Sequence, residues 1–302
     1  ILRTTIARNS PEVYLLLMYF ALRNMQSPIE LDSCEIRALG FLLHWFSTSK
    51  DKKKCVQEIF TRCKDSINRT NVLMGISHLM HDCQLLHIYT PDEISGFIKI
   101  DDSPDWRAWN GIPAGGREFF DRIFWYRDNY SEACEMLLYA ERRYINLNFS
   151  NYDPARQDMW AEYNRPWDFD HIIARNRIVG SRGDYREYNK SMLNSIGNIA
   201  AISFEANRSK SDRVDYQEYT HEDLYYNPEI ESLSYDFSKD GKSSFRFAEI
   251  TFKRFCDIYA NVYELIRPLT EEVILSTTLK ERKILFEEVA KSYPDAIFHF
   301  AA

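Results

Sequence analysis

From Ser10 to about Asn148, apolar residues recur at helical spacing, and this periodicity limits the first half of the chain to an α-helical bundle. Ser10-Pro11-Glu12 puts a capping hydroxyl, a first-turn proline and a first-turn acid ahead of the stripe Val13, Leu16, Leu17, Tyr19 and Phe20. Further helices are predicted from Ser33 through Leu39, Leu42, Leu43 and Phe46, from Asp51 through Val56, Ile59 and Phe60, and from Asn71 through Leu79. Thr90-Pro91-Asp92-Glu93 is a start signal of the same kind, and Ser131-Glu132 opens a stretch containing Met136, Leu137, Leu138, Ala140 and Tyr144. The helical period returns from about Phe245 to Ile266, with Phe252, Phe255, Ile258 and Leu265 as candidate core residues, and again from Leu279 to Ser292.

Between Tyr152 and Arg213 the character changes. Two β-prone pieces, Trp167 to Ile173 and Ile196 to Ser203, flank the loop Gly180-Ser181-Arg182-Gly183, which predicts a small α+β insertion. The polar, tyrosine-rich stretch from Asp215 to Ser244, with Asp240-Gly241 inside it, reads as an irregular connection. The expected fold class is therefore mainly α. A helical region over 1–150 and a C-terminal helical region over 215–302, packed on the module, flank a hairpin-plus-helix module over 151–214.

A chain of 302 residues with 45% hydrophobic content can fill a sizeable core. The formal charge of -7 argues against a protein that coats nucleic acid over its whole surface. Charge is not uniform, however: Arg165 to Arg213 holds nine basic residues against six acidic ones, a local +3, which suggests an anionic substrate held through phosphate contacts. Six scattered cysteines with no Cys-x-x-Cys pair suit free thiols in a reducing compartment, so a cytoplasmic location is expected. The longest apolar runs, such as Val13 to Leu22, fall well short of a bilayer span, and no membrane role is expected. The chain opens at Ile1 directly into helix-like sequence, which suggests that a further region precedes it.

Within the insertion, an Asp-His pair (Asp170, His171) is followed by Asn198 and then by Asn207. Phosphodiester hydrolysis needs a base to activate water, a hard cation to neutralise charge on the phosphate and leaving oxygen, and groups that hold both in line. These residue types meet those needs. The Asp170 carboxylate and the Asn207 amide oxygen are suitable ligands for Mg²⁺, provided that Asn207 lies on a helix packed across the hairpin. Neighbours on a regular strand point to opposite faces, so bringing Asp170 and His171 to one site requires a bend or bulge at the strand end. Lys210 follows Asn207 by three residues, on nearly the same helix face. Asp168 is an auxiliary or supporting carboxylate on one reading and a solvent-facing strand residue on the other.

In Asp168-Phe169-Asp170-His171-Ile172 and Asn207-Arg208-Ser209-Lys210-Ser211-Asp212 the chain resembles the HNH, or ββα-metal, nuclease superfamily, including the HNH domain of RNA-guided CRISPR effectors. Ser195-Ile196-Gly197-Asn198-Ile199 is more similar to the C-terminal nuclease domain of GmrSD-type modification-dependent restriction enzymes and SspE anti-phage proteins. So is the lead-in from Leu137-Leu138-Tyr139-Ala140-Glu141-Arg142-Arg143 to Asn164-Arg165-Pro166-Trp167. The resemblance implies a DNA endonuclease, the effector of a bacterial restriction or anti-phage system, in which His171 is the general base. Asp170 and Asn207 would hold Mg²⁺ or Mn²⁺, Asn198 would brace the site, and Lys210 would meet the phosphate or the developing charge. Arg175, Arg208 and Arg213 are then the expected DNA contacts, and an upstream nucleotide-binding sensor domain is the expected partner. Ala174 departs from the proline that many relatives carry there, and the loop from His171 to Asn198 is longer than in the CRISPR enzymes.

Other readings stay open at this level. The same hairpin and helix could bind DNA or a protein without turnover, or cleave RNA. Asn198 after Gly197 is also an ordinary turn. His78, His81, Cys83 and His87 offer zinc-ligand chemistry, but their spacing fits no standard finger and suits residues of a helical core or surface. Trp106, Trp109, Phe119, Phe120, Phe124, Trp125 and Tyr126 could stack on bases; burial between helices is the expected use.

Overall fold

A computed structural model describes residues 51–64, 69–100, 116–126, 131–152, 165–179, 186–210, 241–264, 267, 275–276 and 278–292. The helices expected from Ser10 and Ser33, the loop at 180–183 and the stretch 215–240 lie outside the described residues, as do Trp106, Trp109 and Arg213. In chain order the elements are α1 (Lys52–Cys63), α2 (Arg69–His81), α3 (Pro91–Ser95), α4 (Gly116–Phe124), α5 (Ser131–Ala140), α6 (Arg142–Asn148), β1 (Trp167–His171), α7 (Arg175–Val179), α8 (Arg186–Leu193), a 3₁₀ turn (Ile196–Asn198), β2 (Ile199–Ser203), α9 (Phe204–Lys210), α10 (Gly241–Tyr263) and α11 (Leu279–Ser292). The fold is mainly α, with one two-stranded sheet among the described residues. No helix of the described residues is long and apolar enough to cross a membrane.

The chain divides into two compact units, one spanning Thr90–Val262 and the other combining Leu2–Tyr89 with Tyr263–Ala302. Which helices share a unit is a matter of packing, which periodicity along the sequence does not mark. In the second unit, the Asp51 carboxylate caps α1 by accepting from the Lys54 N–H at 3.1 Å. Cys55 and Ile59, one turn apart, are buried on α1, as are Leu73, Ile76 and Leu79 on α2. Gly75 of α2 is buried against Ile59 of α1. Arg282 of α11 is buried and donates to the Ser77 carbonyl at 3.1 Å and its hydroxyl at 2.8 Å.

The first unit is organised around α10. Phe247, Thr251, Phe255, Ile258 and Val262 lie three or four residues apart and are all buried, whereas Lys242, Lys253 and Asp257 are exposed. Phe255 meets Phe120 and Phe124 of α4 edge to face at 5.6 and 4.9 Å, and Phe119 and Trp125 are buried beside them. Burial, as expected, is what this part of the aromatic set is for.

Strands β1 and β2 pair antiparallel, Trp167 opposite Ser203 and His171 opposite Ile199. A two-stranded sheet is marginal by itself. Here it is tied down by Arg254 of α10, which is 2% exposed and donates from Nη1 to the carbonyls of Ile196, Gly197 and Ile199 at 3.1, 3.2 and 2.7 Å. Its Nη2 bonds Glu141 Oε1 at 2.9 Å, and Glu141 Oε2 accepts from the Ala201 N–H at 3.4 Å. Gly197 is required for the close approach: a Cβ there would come within 1.9 Å of the Thr251 carbonyl oxygen.

Replacing Arg254 by Met takes the cation from the buried Glu141 carboxylate and a donor from the carbonyls of Ile196, Gly197 and Ile199, and is expected to cost about 4 kcal/mol of stability in urea unfolding. The double variant Arg254→Met with Glu141→Leu should recover only part of that loss, because the guanidinium's bonds to the three carbonyls stay lost. Full recovery would mean that the carbonyl contacts contribute nothing.

Candidate functional site

Three consecutive local devices build the hairpin region. Trp167 and Phe169 alternate with Asp168 and Asp170 along β1, the period of a strand with one apolar face. Trp167 joins Phe149, Ile145 and Ala201 in a small core against which Phe169 packs. At the far end of β2, the Ser203 hydroxyl accepts from the Ala206 N–H at 3.1 Å, so the strand passes straight into the capped start of α9. Helix α9 packs on both strands.

Asp168 and Asp170 share the face of β1 opposite to Phe169. Asn207, on α9, donates from Nδ2 to Asp168 Oδ2 at 3.0 Å. Asp168 is therefore a supporting carboxylate that orients the amide, and both groups are half-buried. With its nitrogen engaged, Asn207 turns its oxygen to the role of cation donor, and Asp170 on the same strand face as Asp168 supplies carboxylate oxygen, donor chemistry that fits a hard ion such as Mg²⁺.

His171 is on the other face. Its ring lies 6.3 Å from that of Tyr126, edge to face, and Tyr126 also contacts Phe169 at 5.8 Å. The bend needed to gather Asp170 and His171 into one site does not occur within the strand: pairing is regular through His171, and the chain bends only at Ile172 and Ile173. Regular pairing with β2 holds the alternation to the last residue. Nε2 of His171 meets the side-chain oxygen of Asn194 at 3.2 Å. An amide oxygen can only accept, so in the neutral ring the proton belongs on Nε2 and the basic lone pair on Nδ1. Asn194 is held in turn through its own carbonyl, which accepts from the Tyr126 N–H at 2.7 Å beside the bridge between Trp125 and Ser195.

Asn198 clamps the bend after β1. Its carbonyl accepts from the Ile172 N–H at 2.8 Å and its Oδ1 from the Ile173 N–H at 2.9 Å, while Nδ2 donates to the carbonyls of Ile173 at 3.3 Å and Leu193 at 3.0 Å. The residue is 2% exposed. Its work is to fix the backbone that follows His171.

Arg175, at the start of α7, and Arg208, on α9, are exposed. Lys210 closes α9; Arg213 lies outside the described residues. Asn194 and Arg254 were not singled out in the sequence, where Tyr126 appeared only in the aromatic set and Glu141 only in the run Leu137 to Arg143, and no local pattern marks the roles they take. The order Asn194-Ser195 before Gly197-Asn198 is the only hint, since a second amide precedes the one expected in the turn. No family model matches the chain, and no curated protein or solved structure matches it either.

Asn198→Ala removes the side-chain partners of one buried N–H and two carbonyls, and is expected to lower stability by about 3 kcal/mol in chemical denaturation. A loss below about 0.5 kcal/mol would show that the clamp is not what holds the bend.

Proposed function

We propose that this chain is a metal-dependent endonuclease of the HNH type, which hydrolyses DNA phosphodiester bonds as the effector of a restriction or anti-phage system. One arrangement carries the reading: a hairpin running directly into a helix, with Asp168 and Asp170 on one strand face, Asn207 bonded to Asp168 at 3.0 Å, and His171 closing the strand with Nε2 on Asn194. Asp170 and the amide oxygen of Asn207 would hold Mg²⁺ or Mn²⁺. When bound, the cation supplies charge neutralisation at the phosphate and the departing 3′ oxygen.

The chain's own groups divide the remaining work. His171 takes a proton from water through Nδ1 while Asn194 keeps the Nε2 proton in place. The hydroxide attacks phosphorus, the 3′ oxygen departs, and 5′-phosphate and 3′-hydroxyl ends result. Because Asp170 and His171 occupy opposite faces, the scissile phosphate would have to lie at the end of β1, where the chain bends after His171. Exposed Arg175 and Arg208 would contact neighbouring phosphates.

That same opposition of faces favours a second reading, in which the hairpin and helix bind DNA without turnover. Nicking of supercoiled plasmid in Mg²⁺ or Mn²⁺ separates the two. The nuclease reading expects cleavage that chelation abolishes and that His171→Ala lowers by at least about 100-fold. Equal cleavage by both proteins would reject the assignment of His171, and metal-independent binding with no cleavage under either cation would establish the second reading. An RNA digest run in parallel tests the choice of nucleic acid.

Each arginine that contacts a phosphate contributes to counterion release. Arg175→Ala and Arg208→Ala should therefore each reduce the slope of log affinity against log salt by about 1, across unrelated DNA sequences. Slopes that match the unaltered chain would remove these residues from the interface.

A further inference from the structure

In the other compact unit, three side chains with metal-ligand chemistry converge at the end of α2. Nε2 of His78 lies 3.2 Å from Cys83 Sγ and 3.6 Å from Glu58 Oε2 of α1. One donor atom from each of the three residues falls within 4.8 Å of the others. Donors bound tetrahedrally at zinc distances stand about 3.3–3.6 Å apart; the ring nitrogen keeps that spacing from the carboxylate and lies slightly inside it from the sulfur.

The backbone turns sharply to bring the thiol there. The N–H groups of Asp82 and Cys83 both donate to the His78 carbonyl at 3.0 Å, and the Leu85 N–H reaches Leu79. Gln84 takes a φ of 51°, a conformation disfavoured for any residue but glycine, and the turn it makes carries the chain back past the helix end. The opposite ring nitrogen is also secured. Nδ1 of His78 donates to Asp82 Oδ2 at 2.6 Å, and Arg282 lies 3.5 Å from the other oxygen of that carboxylate. A carboxylate behind a ligating imidazole fixes the tautomer that leaves Nε2 for the metal.

We propose that Glu58, His78 and Cys83 form a binding site for a borderline transition-metal dication of the Zn²⁺ class, with Asp82 as a positioning residue. Carboxylate and thiolate balance the charge of the ion. Glu58 and His78 are 33% and 21% exposed, so water can complete the coordination. His87 does not take part; its ring packs on Tyr89 at 4.2 Å. Glu58, contributed by a neighbouring helix, completes a set of which the sequence displayed only His78 and Cys83.

Titration of the full chain with Co²⁺, in a non-thiol reductant, tests the site. A thiolate-to-cobalt charge-transfer band is expected, saturating at one equivalent and displaced by Zn²⁺. Cys83→Ser should abolish the band, and Asp82→Ala should keep it while weakening Zn²⁺ competition about 10- to 100-fold. Cys256 does not compete as a thiolate, because burial, with the Asp257 charge adding to it, pushes its thiol up to about 12. Oxygen donors at Asp170 and Asn207 give no such band, so the result is separable from the plasmid assay. Absence of the band in the folded chain, or its survival in Cys83→Ser, overturns the proposal. Should Cys83→Ser fail to fold, Glu58→Gln provides the second measurement: the band persists with Zn²⁺ affinity at least tenfold weaker, and an unchanged affinity overturns the site.

Discussion

The Arg254 guanidinium, buried on α10 and paired with Glu141, is the constraint on which the hairpin region depends. Buried ion pairs contribute uncertain net stability, because removing two charges from water costs about as much as their attraction returns. What this pair adds is geometry. One terminal nitrogen meets the carbonyls of Ile196, Gly197 and Ile199, an arrangement that only a tight turn at the start of β2 presents. The carboxylate that neutralises it also receives the Ala201 N–H, so a single charge pair fixes both the turn and the strand after it.

From that turn the constraint passes to the candidate site through covalent neighbours. Asn198 ends the 3₁₀ turn, and its amide and carbonyl hold the backbone of Ile172 and Ile173, directly after His171. Asn194, just ahead of the turn, holds the His171 ring itself. The imidazole is thus positioned from the same short segment that Arg254 anchors. On the opposite strand face, Asn207 is positioned independently, by the Ser203 cap that starts α9 and by its bond to Asp168. The two faces of one strand are thus supported through different side chains.

Signals confined to a few neighbouring residues were legible in the sequence. The Asp51 cap, the Thr90-Glu93 capping box and the span of α11 needed only local spacing to read, as did the two strands. So did the order Asp170-His171, Asn198, Asn207, since residue type and sequence order survive without a fold. Helices α7 and α8, inside what reads as a loop, have five and eight residues, too short for a period to stand out. The partners that give the site its geometry were not legible. Glu141 lies 113 residues from Arg254 and Asn194 lies 23 from His171, and neither separation leaves a periodic trace. Regular pairing through His171 was also hidden, because the motif alone favours a bend that the ladder with β2 overrides.

The two donor sets differ in kind, and the difference bears on how one chain could use two cations. Asp170 and Asn207 offer oxygen alone, which suits ions that keep most of their water and exchange readily. Glu58, His78 and Cys83 offer one oxygen, one nitrogen and one sulfur, a combination that a hard ion binds poorly and a borderline ion binds well. Sorting by ligand softness needs no barrier between the sites and no difference in their exposure. Each set is backed by its own carboxylate, Asp168 behind the Asn207 amide and Asp82 behind the His78 ring. The carboxylate at the imidazole raises ligand basicity and strengthens retention, whereas the one at the amide serves mainly to aim a weak donor. On the two proposed assignments, a retained ion would stand at the thiol and an exchangeable one beside the strand.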